Sequence, residues 1–194
     1  MDRALIVVDV QESFRQRPSW RTFNNPDIVE RVNRLVDATR SDGGRVVWML
    51  HSEPETGSVF DPVNGHVHLL DGLKPAEDEP VLVKASANAF TTTRLQQYLT
   101  SHGIGEIVIC GIRTEQCCET TARVGADLGF DAVFVSDATA TNPIEHRDAR
   151  PGRSIEEILA DPRTLTAEQV VERTEYALHG RFARITSVAE LTGA

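Results

Sequence analysis

The chain has 194 residues, enough for one domain spanning residues 1–194, because a chain of this size buries about 70% of its unfolded surface without disulfide or metal staples. A formal charge of -9 provides no broad basic surface for phosphates, which argues against non-specific nucleic-acid binding. No run approaches the roughly 20 apolar residues that span a bilayer, and the apolar run after Asp2 and Arg3 is cut at Asp9, so neither a membrane span nor a secretory leader is expected. The three cysteines, Cys110, Cys117 and Cys118, all fall within nine residues. That is a poor disulfide framework, so reduced thiols and a cytoplasmic location are the expectation.

Ala4–Val8 is a short, continuous, β-branched run, as in a strand buried on both faces. Pro26 to Arg40 follows a helical period, with Ile28, Val32, Leu35, Val36 and Thr39 on one side. Asn25 suits its N-cap, Pro26 its first turn, and Gly43-Gly44 its end. Arg45–Leu50 is the second strand, and residues 51–79, rich in Gly, Pro, Asp and Glu, form a long irregular connection. Pro80–Lys84 is the third strand, followed by a helix from Thr93 to His102. Glu106–Cys110 is the fourth strand, with a helix running on to Gly129. Asp131–Ser136 is the fifth, two helices are expected near 154–160 and 166–178, and Ala183–Thr186 is the sixth. Strands alternating with helices indicate a parallel sheet covered on both faces.

In such a sheet the ligand site lies outside the carboxyl ends of the strands. Three polar residues fall there: Asp9 after Leu5-Ile6-Val7-Val8, Lys84 after Val81-Leu82-Val83, and Cys117 shortly after Ile107-Val108-Ile109. Taken singly, an acid after a strand is also a turn residue and a lysine there is also a solvated one. Together their chemistry is complementary. A carboxylate can take a thiol proton, while a cation and a helix N-terminus both favour the thiolate. Backbone N–H groups at the strand–helix turn can hold an oxyanion.

Helical spacing separates the adjacent cysteines. From Cys118 the small residues Ala122, Gly125, Ala126 and Gly129 make a stripe that would approach the sheet, which assigns Cys118 to packing. Cys117 lies about 100° around the helix, where it can face the cleft. Cys110, at a strand end, reads as packed.

These residues resemble the isochorismatase-like cysteine hydrolases, in their amidohydrolase branch, over most of the chain. "ALIVVDVQESF" resembles the first strand and base, "VLVKASANAF" the lysine segment, and "ICGIRTEQCCETTARVGADLGFDAVFVSDATAT" the nucleophile turn, helix and next strand. The resemblance implies Asp9 as general base, Lys84 as its charged assistant and Cys117 as nucleophile. It further implies a cis peptide between Ile112 and Arg113, with the backbone N–H groups of Arg113 and Cys117 as the oxyanion hole. The implied reaction is hydrolysis of a small carboxamide, carbamoyl or ureido C–N bond through a thioester, without a cofactor. The expected fold is a three-layer α/β/α domain with six parallel strands in the order 3-2-1-4-5-6. Relatives of this kind are usually dimers or tetramers, so a homo-oligomer acting on a small molecule is expected, with no nucleic-acid or membrane partner.

The departures narrow the reading. Family members commonly carry aspartate where Glu115 stands and an aliphatic residue where Cys118 stands. Nicotinamidases carry an Asp-x-His metal pair where this chain has Met49-Leu50-His51, so no metal is expected, with His51, His66 and His68 read as loop or surface histidines. Enzymes that cleave the vinyl ether of isochorismate often lack the nucleophilic cysteine, and its presence favours C–N hydrolysis. Isochorismatase-type hydrolysis, nicotinamidase activity and redox sensing or binding through Cys117-Cys118 remain the alternatives. Phe14, Trp20 and Arg113 are candidate substrate contacts: the first two lie in the basic, aromatic stretch "SFRQRPSWRTF", and Arg113 could clamp a carboxylate. That stretch reads equally as a solvated loop or a subunit contact. The segment after Thr141 reads as a lid or a subunit contact.

Overall fold

The computed structural model describes residues 2–193. The short apolar runs form strands β1 (Asp2–Val8), β2 (Arg45–His51), β3 (Val81–Lys84), β4 (Ile104–Ile112), β5 (Asp131–Ala140) and β6 (Arg184–Thr186). All neighbours pair in parallel, in the order β3-β2-β1-β4-β5-β6. The expected order 3-2-1-4-5-6 is therefore the observed one. The helices are α1 (Glu12–Arg15), α2 (Ile28–Ser41), α3 (Leu95–Ser101), α4 (Glu119–Asp127), α5 (Ile155–Ala160), α6 (Ala167–Leu178) and α7 (Val188–Thr192). No helix among the described residues is long and apolar enough to cross a membrane.

The runs are apolar at every position because alternate side chains enter two different cores. Leu5, Val7, Val46, Trp48, Val108, Val133 and Val135 pack with α2 and α7. Ala4, Ile6, Val8, Val47, Met49, Ile107, Ile109 and Phe134 pack on the opposite face with residues of α3, α4 and α6. Trp48 is fully buried, and its one polar group is satisfied by donating from Nε1 to Glu79 Oε2 at 2.8 Å. The helical stripe of α2 buries the five residues its spacing predicts: Ile28, Val32, Leu35, Val36 and Thr39.

Several boundaries differ from expectation. α2 begins at Ile28, two residues later than Pro26, and Asn25 is not its cap. The side chain of Asn25 is used elsewhere, donating from Nδ2 to the carbonyls of Asp137 and Thr139. Those carbonyls lie where β5 slips register, since Ile109 pairs with Phe134 but Gly111 with Thr139. A bulge leaves backbone groups without ladder partners, and Asn25 supplies the missing donor. β5 consequently runs four residues past the expected Ser136. The short helices α1 and α7 had no periodic signal long enough to detect.

Gly111 pairs with Val8 beside the sheet's reversal point, at φ +128°. A Cβ there would sit 1.9 Å from the Val8 carbonyl oxygen. We expect Gly111→Ala to lower stability by at least about 3 kcal/mol, combining backbone strain with overpacking. A urea midpoint unchanged from wild type would contradict this close approach.

Candidate active site

The strand order reverses between β1 and β4, so the crevice opens where β1, β2 and β4 end. Asp9 leaves β1 at φ +51°, one of two non-glycine residues with positive φ among those described. Its N–H donates to the Met49 carbonyl, and its own carbonyl accepts from Gln11 N–H. Gln11 fixes the neighbouring strand end: Nε2 donates to the His51 carbonyl and to Ser13 Oγ, while Oε1 accepts from His51 N–H. Asp9 is thus held by backbone on both sides, with its carboxylate fully buried.

Lys84 ends β3, two strands away, and reaches across the end of β2 with 1% of its surface exposed. Its Nζ lies 2.7 Å from Asp9 Oδ2, 3.4 Å from Cys117 Sγ and 3.0 Å from the Ser86 carbonyl oxygen. The ammonium therefore touches both of the other candidate residues. Asp9 Oδ2 is thus paired with the ammonium, and the Cys117 thiol lies close enough to hydrogen-bond the carboxylate.

Cys117 sits in a π-helical turn, Thr114–Cys118, rather than at the start of a regular α-helix. The Arg113 carbonyl accepts from the N–H groups of Gln116 and Cys118, and the Ile112–Arg113 peptide is cis. The Cys117 carbonyl accepts from Thr121 Oγ1 at 2.6 Å, and Thr121 Oγ1 in turn accepts from Ala89 N–H. One hydroxyl therefore ties the lysine segment to the nucleophile turn. Cys118 is completely buried with Ala122, and Gly125 lets the helix approach the sheet, since a Cβ there would lie 2.4 Å from Ile107 Cδ1. The predicted stripe holds for these positions and ends there. Ala126 is half-buried, and exposed Gly129 terminates the element at φ +92°.

The cation beside Cys117 lowers its pKa, but burial outweighs Lys84 and the Asp9 charge adds to it, pushing the thiol up to about 12, so a base is needed to take its proton. Burial likewise pushes the Asp9 carboxyl up, while Lys84 draws it back. Burial disfavours the Lys84 ammonium, but the adjacent Asp9 charge favours it and the Lys84 pKa is raised. The resting site is a thiol, a carboxylate and an ammonium.

The candidate substrate contacts fare differently. Phe14 is 4% exposed and packs in the core against Phe60 and Phe23, so it lines no cleft. Trp20 is half-buried on Phe23, with ring centroids 4.9 Å apart. The Arg113 guanidinium is engaged by Glu115 at 2.7 Å, and Thr141 Oγ1 donates to the other Glu115 oxygen. Its charge is paired within the protein. His51 Nε2 is 3.2 Å from Glu53 Oε1, and His68 Nδ1 is 3.0 Å from the Leu69 carbonyl oxygen. Among the described residues no three His, Cys, Asp or Glu side chains are grouped to hold a metal ion.

Sequence reading missed Glu119, two residues after the thiol. It is buried and receives hydrogen bonds from Arg123, Arg173 and Thr174, locking α4 to α6. The Arg four residues on was its only local signal.

Residues 3–176 match the Isochorismatase domain family. The chain belongs to the isochorismatase family. Among similar proteins, the isochorismatase family protein YrdC of Bacillus subtilis is 33% identical over 138 residues, covering 71% of this chain and 73% of that one. A streptothricin hydrolase of Streptomyces noursei is 35% identical over 153 residues, covering 78% and 58%. Nicotinamidase 3 of Arabidopsis thaliana is 32% identical over 152 residues, covering 71% and 73%. The crystal structure of an isochorismatase-family protein from Chromobacterium violaceum superposes with a TM-score of 0.85 at 24% identity, covering 100% and 93%, and shows the same fold. This isochorismatase-family chain is a hydrolase.

Proposed function

We propose that the protein is a cysteine amidohydrolase that cleaves the C–N bond of a small carboxamide, carbamoyl or ureido compound through a thioester. One observation carries the reading: a single buried ammonium contacts both a buried carboxylate and a thiol. Among its relatives, nicotinamidase 3 and streptothricin hydrolase bear names consistent with it.

Asp9 takes the Cys117 proton as Sγ attacks the carbonyl carbon. The C=O electron pair moves onto oxygen, which the N–H groups of Arg113 and Cys117 hold as an oxyanion. Arg113 N–H is available for this, since it enters no hydrogen bond among the described residues. The oxyanion collapses, the C–N bond breaks, and Asp9 returns its proton to the leaving nitrogen. Water then loses a proton to Asp9 and attacks the thioester. The C–S bond breaks, the acid departs, and Sγ recovers the proton from Asp9. Lys84 stays cationic throughout, compensating the negative charge as it moves between carboxylate and substrate.

The test is an ammonia-release screen of the purified chain over small amides, carbamoyl and ureido compounds, nicotinamide included, with isochorismate alongside. Turnover of at least one C–N substrate is expected. Turnover of isochorismate alone, undiminished in Cys117→Ala, would sink the mechanism and favour vinyl-ether cleavage.

A further inference from the structure

The loops after β1 and β2 meet above the catalytic lysine. His51, the last residue of β2, pairs with Lys84 in the ladder, and its ring meets Phe60 edge-on at 5.4 Å. Over Phe60 lies the Arg17 guanidinium, 4.7 Å from the ring centroid and 5.9 Å from that of Phe14. Arg17 is also close enough to Arg113, the residue that supplies one oxyanion N–H, for the two charges to repel. His51, the ladder partner of Lys84, thus connects through Phe60 to the exposed Arg17 cation.

The neighbouring arginines all have carboxylate partners. Arg15 pairs with Glu12, Arg21 with Glu156 and Arg113 with Glu115. Arg17 has no carboxylate within ion-pair distance and donates no side-chain hydrogen bond among the described residues. Glu53, the acid whose charge reaches it, is turned away, accepting from Ser58 Oγ at 2.6 Å and lying 3.2 Å from His51 Nε2. Arg17 is solvent-exposed, and partial desolvation beside the rings lowers its pKa. Its planar fork of N–H donors, held on an aromatic face, matches a carboxylate bidentately.

We infer that Arg17 is a specificity-determining residue, and that the preferred substrate is an amide bearing a carboxylate at the end remote from the scissile bond. The inference rests on the amidohydrolase reading. Arg113, by contrast, is already paired with Glu115.

The test uses the Cys117→Ala protein, so that binding is read without turnover. Calorimetry would compare mono-amides of the two- to five-carbon dicarboxylic acids with the corresponding neutral diamides. At least one mono-amide should bind about 10-fold or more tightly than its diamide, the scale of a charged hydrogen bond. Arg17→Met, which keeps the aliphatic bulk, should erase that preference, and Arg17→Lys should restore part of it. The inference is overturned if no acid is preferred, if nothing in either series binds, or if Arg17→Met weakens both series equally, as a purely structural prop on Phe60 would. Arg17-dependent binding of an acid that wild type cannot hydrolyse refutes the hydrolytic reading alone. Hydrolysis confined to neutral diamides refutes this inference alone.

Discussion

Cys117→Ala lowers kcat for amide hydrolysis by at least about 10⁴-fold, whereas Cys118→Ala leaves kcat within about threefold of wild type. The two thiols are adjacent in sequence, yet one is half-exposed beside Lys84 and the other is sealed in the core. On the proposed mechanism, removing Cys117 removes the nucleophile that forms the thioester. Removing Cys118 leaves a small cavity under α4, with a stability loss of about 1–2 kcal/mol and little effect on the chemistry. Paired kinetics and urea titrations separate these effects: one variant should be stable and inactive, the other active and less stable. Comparable activity loss in both would mean that the cysteines act together, as in a redox pair, and would defeat the single-nucleophile reading.

Asp9→Asn produces the second large loss, and its pH dependence carries the diagnosis. With the thiol up at about 12 beside the Asp9 carboxylate, only about one molecule in 10⁵ is thiolate at pH 7 at rest. Wild type avoids this penalty because the Asp9 carboxylate accepts the proton during attack. Its kcat/KM should therefore fall on the acid side as Asp9 protonates. That limb should lie above the ordinary carboxylate range, because burial raises the Asp9 pKa. Lys84→Met should move the limb higher still, since the ammonium draws the Asp9 pKa down. In Asp9→Asn the acid limb disappears, and the residual rate climbs about tenfold per pH unit through the alkaline range as the thiolate forms unaided. An Asp9→Asn profile that keeps the wild-type acid limb would show that another group is the base.

The fold was readable because both faces of the sheet are covered, which makes its strands continuous apolar runs separated by helical periods. Ile6 and Val7 face different cores, yet both must be apolar. Asp9, Lys84 and Cys117 stand at strand ends, so topology alone placed them on one rim. Features that depend on particular contacts were hidden. Nothing local in Asn24-Asn25-Pro26 distinguishes an N-cap from a residue that satisfies a bulge 112 positions away. Phe14 and Arg17 share one aromatic, basic stretch, but only three-dimensional packing assigns the first to the core and leaves the second exposed over aromatic rings. The extent to which the Cys117 pKa is raised was hidden for a similar reason. Sequence shows which charges are near, whereas burial, the largest influence here, follows from everything packed around them.

The contact of one lysine with both acid and thiol also constrains the proton inventory. Thiol, carboxylate and ammonium sum to zero, and so do carboxylic acid, ammonium and the tetrahedral adduct. In the proposed cycle the site passes from one state to the next by relocating a proton already inside it. No step of the first half-reaction requires the interior to gain or lose charge against bulk water, which is the change a buried pocket resists most strongly.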